Sequence, residues 1–211
     1  MKSSKVLEML QQNRIEELKA ELQDEIFTES LKTKPNAKKR YTAMKKYFTL
    51  VDSSREVCQK PCEIEFEGRK YNSFTNSYSL ALTTEPCGEM TMFDQANGTY
   101  PDVGRLIDRT GLEGEIDFAK VIAEAKSKGY KLKRAELMSN DYLMHYRNSY
   151  FRIALVDCTY GIIADGEKAR VYHSGEKHGK LTVQNDIGMC LILPIRMEGK
   201  PAEWVTIIEA E

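Results

Sequence analysis

The sequence lacks the long apolar runs that membrane insertion and secretion require. No stretch approaches the roughly 20 apolar residues of a membrane span, and the N-terminus shows neither the apolar core nor the cleavage site of a secretory signal. The cysteines number five, which is odd and favours reduced thiols over a disulfide framework. Together these absences predict a cytoplasmic protein that does not interact with membranes.

An excess of either charge is also missing. The 211 residues carry 31 lysines and arginines against 32 aspartates and glutamates, a formal net charge of -1. Attraction of the whole molecule to nucleic acid is therefore not expected, and any such attraction must come from a local patch. A hydrophobic fraction of 41% and a charged fraction of 30% are ordinary for a globular chain with one large domain or two small ones.

The short motifs of common catalytic and nucleotide-binding sites are absent as well. The chain has no Walker A sequence, no G-x-G-x-x-G, no H-E-x-x-H and no G-x-S-x-G. Cys58 and Cys62 are spaced more widely than the C-x₂-C pairs of zinc sites, and nothing ties them to the distant His173 and His178. We therefore predict no metal, no cofactor and no catalytic residue. An uncharacterised hydrolase or nuclease is the alternative function, because catalytic groups can converge from distant positions.

The first quarter of the chain has a helical pattern followed by a basic stretch. Apolar residues recur at three- and four-residue steps over residues 4–30, which predicts an amphipathic helix. Pro35 then suits the first turn of a second helix. Residues 31–51 contain no acid, and DNA binding is predicted for five of their cations: Lys38, Lys39, Arg40, Lys45 and Lys46. The alternative is a solvated helix face whose charge is balanced by the acids of residues 8–29.

From Cys62 onwards the apolar pattern changes to the period of a β-strand. Alternation and turn residues predict strands at 63–66, 70–75 and 78–83, with 90–93 as a candidate fourth. The turn residues of 97–102 mark a domain boundary.

The second half alternates helices and strands. Asp117–Lys128 reads as a helix that ends at Gly129. Residues 148–163 read as a second helix, although their β-branched residues also suit a buried strand. Strands are predicted at 131–138, 141–146, 169–173, 181–184 and 189–196. The fold class is α+β, with a helical segment at 1–54, a partial domain and linker at 55–110, and a C-terminal domain at 111–211.

Three separate segments resemble a known family in the right order. Phe74 to Leu82 (FTNSYSLAL) resembles the strand of bacterial sliding clamps, the DNA polymerase III beta subunit, that reads roughly A-T-D-G-H-R-L-A-L. Asn97 to Ile107 (NGTYPDVGRLI) is similar to that family's interdomain linker, G-x-[FY]-P-D-Y-x-R-[VL]-[IL]. Leu191 to Met197 (LILPIRM) is similar to its closing strand, V-V-M-P-M-R-L. The resemblance covers residues 62–197 and implies clamp-like half-domains, each a strand, a helix and three strands.

The resemblance also implies a site, because in sliding clamps these three segments line an apolar groove that receives short linear motifs of replication and repair proteins. Carried over to this chain, the groove residues are Thr75, Ser77, Tyr78, Ser79 and Leu80 from the strand, Pro101, Arg105 and Leu106 from the linker, and Leu191, Leu193, Pro194, Ile195 and Arg196 from the end. The alternative is that the leucines are ordinary core positions of strands. A clamp subunit has three similar domains, and this chain has room for less than two.

These features predict a non-enzymatic, clamp-like, DNA-associated protein that binds motifs of replication or repair partners. A further alternative is a helical-arm assembly protein in which residues 4–30 pair between copies of the chain as a homo-oligomer.

Overall fold

Three helices form the N-terminal segment in the computed structural model, which describes residues 3–50, 55–199 and 201–210. They are α1 (Ser3–Gln11), α2 (Ile15–Thr33) and α3 (Ala37–Leu50). The single helix predicted over residues 4–30 is wrong, because the chain turns at Asn13, whose φ of 55° is left-handed and suits asparagine. Pro35 lies in the turn before α3 and not in the helix. The predicted boundary at residue 54 lies outside the described residues.

A seven-stranded antiparallel sheet is the centre of the molecule, with the strand order β1-β2-β3-β9-β8-β7-β4. Its strands are β1 (Cys62–Phe66), β2 (Arg69–Thr75), β3 (Ser79–Thr83), β4 (Leu112–Ile116), β7 (Ala169–His173), β8 (Leu181–Gln184) and β9 (Gly188–Ile192). The predicted turn at Gly68 is confirmed: Glu67 and Gly68, with φ of 53° and 72°, join β1 to β2. The pairing of β3 with β9 joins residues on both sides of the predicted boundary into one sheet.

A smaller sheet of three strands has the order β10-β5-β6. Its strands are β5 (Tyr142–Tyr146), β6 (Ser149–Arg152) and β10 (Thr206–Glu209), and β10 runs parallel to β5. Residues that follow the segment Leu191–Met197 therefore add a strand to this sheet.

Three further helices complete the fold: α4 (Val103–Leu106), α5 (Phe118–Ser127) and α6 (Ile153–Tyr160). The helix predicted after Asp117 is confirmed, and the Asp117 carboxylate caps it by accepting from the Lys120 N–H at 2.9 Å. The helix predicted over residues 148–163 begins only at Ile153, because Ser149–Arg152 pairs with β5 as strand β6.

Two predicted strands are wrong. Residues 90–93 have no strand conformation, and within 131–138 the chain makes a 3-10 turn at Arg134–Glu136. The predicted order after residue 140, which is one strand, a helix and three strands, is present as β5, α6, β7, β8 and β9. An additional strand, β6, lies between β5 and α6. However, β5 lies in the small sheet whereas β7, β8 and β9 lie in the large one.

The large sheet has a different covering on each face. One face packs against α6 and contributes to the largest hydrophobic cluster, where Phe74, Ile153 and Leu155 are fully buried. Part of the other face carries a smaller cluster, which is formed by Tyr71, Leu80, Leu82, Val103, Ile107, Met189 and Leu191. Among the described residues, no helix combines the length and apolar character needed to cross a bilayer.

Candidate functional site

A concavity of about 190 Å³ lies where the turn before β3, the segment around α4 and the end of β9 meet. We call this concavity the groove. Its lining residues are Arg55, Val57, Cys58, Thr75, Ser77, Tyr78, Ser79, Leu80, Pro101, Leu106, Leu191 and Leu193. Three segments that are far apart in the sequence thus contribute to one surface.

The turn between β2 and β3 is held by the side chain of Asn76. Its Oδ1 accepts from the backbone N–H of Tyr78 at 3.0 Å and from that of Ser79 at 2.8 Å. Ser77 takes a φ of 70° at the tip of the turn. These bonds fix the backbone while the Tyr78 side chain projects outwards and remains 44% exposed. The turn therefore presents an aromatic ring at the edge of the groove.

The floor of the groove comes from the pairing of β3 with β9. Leu80 lies opposite Leu191 in the register, and neighbouring residues on paired strands share a face of the sheet. Both leucines are nearly fully buried, at 2% and 3% exposure. They therefore belong to the core as well as to the groove, as the alternative that these leucines are ordinary core positions of strands predicts.

The second segment is anchored by two apolar side chains and a cap. Val103 and Ile107 are buried in the smaller cluster, and the Asp102 carboxylate caps α4 by accepting from the Arg105 N–H at 3.4 Å. This anchoring turns Leu106 outwards, and its side chain is 37% exposed.

The third segment leaves the sheet at the groove. The Leu193 N–H donates to the Tyr78 carbonyl at 3.0 Å, which fixes the two edges of the groove together. Leu193 itself is 37% exposed. Pro194 follows, and the Ile195 N–H donates to the Tyr150 carbonyl at 2.8 Å, so that the chain turns away towards β6.

The structure brings together most, but not all, of the predicted groove residues. Four of them do not line the concavity: Arg105, Pro194, Ile195 and Arg196. Arg105 is exposed and pairs with Asp102 at 3.1 Å, and Ile195 is buried with its backbone bonded to β6. The binding role of the residues that do converge stays a prediction.

Sequence reasoning missed Arg55, Val57 and Cys58, which close one side of the groove. They lie in and beside a 3-10 turn at Glu56–Cys58, which has no helical or strand periodicity that could be recognised in the sequence. The Cys58 thiol lies 3.4 Å from the Ser77 hydroxyl, which ties this turn to the tip of the β2–β3 turn.

Four of the five predicted DNA-binding cations are exposed on α3, and Arg40 is not. The Arg40 guanidinium is only 2% exposed, and it donates to the Ala164 carbonyl at 3.1 Å and to a Glu85 carboxylate oxygen at 3.2 Å. The assignment of Arg40 to a DNA-binding face is therefore corrected: helical phase places it with Ala37, Met44 and Tyr47 on the buried side of α3.

Ser149 and His173 form a buried pair that resembles a catalytic dyad but is not arranged as one. His173 Nε2 lies 3.0 Å from Ser149 Oγ, and the Gly175 N–H donates to His173 Nδ1 at 2.9 Å. The ring proton therefore lies on Nε2 and is donated to serine, so that this nitrogen cannot remove the serine proton. Burial, with a smaller effect from Arg147, lowers the pKa of His173 and keeps the ring neutral.

Two of the described thiols are kept protonated by burial. Burial raises the pKa of Cys87 and of Cys158 to about 12, which keeps both thiols protonated at neutral pH. In the part of the chain that the structure describes, no group of three or more histidine, cysteine, aspartate or glutamate side chains is placed to hold a metal ion.

Comparison with known proteins gives no match to the whole chain or to any part of it. No family model, no curated protein and no solved structure matches. The geometry of the chain itself therefore carries the functional argument.

Proposed function

We propose that the chain is a non-enzymatic, clamp-like interaction protein whose groove captures short linear motifs of replication or repair partners. The observation that carries the proposal is the meeting of the three segments that resemble the sliding-clamp family around one concavity. Residues that are isolated in sequence, such as Tyr78, Leu106 and Leu193, come together there with part of their apolar surface open to solvent.

The shape of the groove suits a peptide anchor. A volume of about 190 Å³ is smaller than the ~300–1,000 Å³ of typical small-molecule sites. It accommodates one or two side chains of a peptide whose remaining residues lie outside. The apolar floor buries an aliphatic or aromatic anchor, and the hydroxyls of Ser77 and Tyr78 at the edge can orient the peptide backbone.

The proposal is tested by removing one side of the groove. We expect Leu193→Ala to weaken binding of fluorescent peptides with leucine and phenylalanine anchors by about tenfold, which corresponds to ~1.4 kcal/mol. The free energy of unfolding should change by much less than the ~2–5 kcal/mol of a fully buried leucine, because Leu193 is partly exposed.

A matched control is Leu112→Ala, in a part of the large sheet away from the groove. Leu112 is 56% exposed on the edge strand β4 and does not line the groove. Its change should leave peptide affinity unaltered. Equal losses of affinity in the two variants would count against the groove, as would a loss in Leu193→Ala that is explained entirely by lower stability.

DNA association is proposed for the exposed cations of α3. Helical phase divides them into two rows, Lys39 with Lys46 and Lys38 with Lys45, on either side of the outer face. All four are exposed. A row of cations beside a phosphate backbone supplies sequence-independent attraction that weakens with salt.

The measurement for DNA association is the dependence of duplex affinity on salt concentration. Replacing either row by glutamine should reduce the slope of log K against log salt by about 0.9 for each phosphate that the lysines no longer neutralise. An unchanged slope in both double variants would assign the lysines to a solvated face.

A second candidate function, self-assembly through the helical arm, is favoured by the exposed apolar side chains of α1 and α2. Five large apolar residues are exposed there: Leu7, Leu10, Ile15, Leu22 and Ile26. Ile15, Leu22 and Ile26 are seven and four residues apart and therefore share one face of α2. Exposed apolar residues that are grouped on one face are typical of interaction sites.

A further inference from the structure

A second concavity, of about 520 Å³, lies between α3, α6 and the chain that follows α5. We call it the lysine cavity, because four lysines line it: Lys39 and Lys46 from α3, Lys126 from α5, and Lys131 from the following segment. Lys39 and Lys46 are seven residues apart, which is about two helical turns and places both on the same side of α3.

The lysine cavity has an excess of positive charge. Asp157 is the one acid among its described lining residues. It lies 3.7 Å from the Lys126 ammonium and accepts from the Tyr130 hydroxyl at 3.3 Å. Lys46 donates to the Leu132 carbonyl at 3.3 Å, a bond to a neutral group that leaves its charge uncompensated. One carboxylate against four ammonium groups leaves a surface that suits an anion carrying more than one charge.

The floor of the lysine cavity is uncharged. Ala43, Leu50 and Leu132 supply apolar surface, and the Cys158 thiol stays neutral because burial raises its pKa. Gly161 allows α3 and α6 to approach, since a Cβ there would lie 3.2 Å from the Ala43 Cβ and 2.8 Å from the Asp157 carbonyl oxygen. The cavity thus combines several lysines with an apolar region.

We propose that the lysine cavity binds a free nucleotide, with the phosphates at the lysines and the base on the apolar floor. The volume lies within the ~300–1,000 Å³ of small-molecule sites. Lysine ammonium groups bind phosphate oxygens as mobile point charges. A phosphorylated sugar would satisfy the lysines but leave the apolar floor uncovered.

Calorimetric titration of the full chain with ATP, adenosine and sodium tripolyphosphate tests both proposed contacts, which are the lysines with the phosphates and the apolar floor with the base. ATP should bind at least tenfold more tightly than either fragment, because adenosine lacks the phosphates and tripolyphosphate lacks the base. Lys126→Gln with Lys131→Gln should weaken ATP binding tenfold or more. These two lysines belong to neither the groove nor the proposed DNA-binding rows, so failure here is distinguishable from failure of the proposed function.

Two further variants separate the cavity from general surface charge. Thr42→Trp fills the mouth of the cavity without changing the charge, and it should abolish ATP binding while the circular dichroism of the folded chain is retained. Lys120→Gln with Lys168→Gln removes the same charge from exposed lysines that do not line the cavity. This control should bind ATP as the wild type does.

Four results would each overturn the inference. They are the absence of ATP binding at millimolar concentration, equal affinity for ATP and tripolyphosphate, ATP binding that survives Thr42→Trp in the folded chain, and equal weakening by the two pairs of lysine changes. A further contradicting result would be duplex DNA that displaces ATP from the wild type and requires Lys126 and Lys131 to do so. The lysine cavity would then be a surface that binds the DNA backbone and not a nucleotide site.

Discussion

At the scale of single residues, the buried ion pair of Arg40 and Glu85 connects the helical segment to the sheet region. Arg40 also donates to the Ala164 carbonyl, and Lys34 lies 3.7 Å from the same Glu85 carboxylate. Desolvating charged groups is costly unless they are paired, so each partner depends on the other. Composition alone placed Arg40 with the DNA-binding lysines, whereas its helical phase with Ala37 and Met44 could have identified it as buried.

Glu85→Gln tests this connection. Removing the carboxylate leaves the buried guanidinium without its counter-charge, and we expect a loss of about 3–5 kcal/mol in the free energy of unfolding, measured by urea denaturation. Glu63→Gln is the matched control, because the pair of Glu63 with Lys70 is exposed and should contribute less than about 1 kcal/mol. Similar small losses in the two variants would show that the buried pair does not stabilise the fold.

At the scale of elements, most strands of the large sheet were predictable from the sequence, whereas segments that have no pairing partner were predicted wrongly. The strands that became β1, β2, β3, β7 and β8 are confirmed near their predicted bounds, and each of them pairs with a neighbour in the large sheet. Residues 131–138 have mixed apolar and charged side chains without a pairing strand, and they form loop and a 3-10 turn instead. Whether a segment forms a strand depends on the surface against which it packs, and a local sequence pattern carries no information about that surface.

The two-helix arm gives a prediction at this scale. Leu22 and Ile26 are one helical turn apart on α2 and are exposed, at 38% and 69%. If they mediate self-assembly, the mass measured by sedimentation equilibrium should rise with concentration for the wild type. Leu22→Glu with Ile26→Glu should remain monomeric.

Leu112→Glu, which adds the same kind of charge at an exposed leucine outside the arm, should assemble as the wild type does. A wild-type mass that stays monomeric at every concentration would contradict the assembly function. So would an oligomer that survives the two changes in α2.

At the scale of the whole molecule, both the groove and the lysine cavity depend on how distant elements dock. Three segments of the groove were predicted from the proposed resemblance to sliding clamps, and the pairing of β3 with β9 brings two of them together. The turn at Glu56–Cys58 has no such resemblance. The lysine cavity was not predictable either, because Lys126 and Lys131 meet Lys39 and Lys46 only since α3 and α5 both pack against α6.

Methyl NMR of the full chain during titration with a leucine- and phenylalanine-anchored peptide tests the central claim most directly. The proposed function predicts saturable shifts of the methyl signals of Leu80, Leu106, Leu191 and Leu193, with those of Leu112 and Leu132 unchanged. A peptide with alanine in place of both anchors should produce no shifts. Saturable binding that moves Leu132 or the arm leucines and leaves Leu106 and Leu193 unmoved would contradict the groove as the binding site.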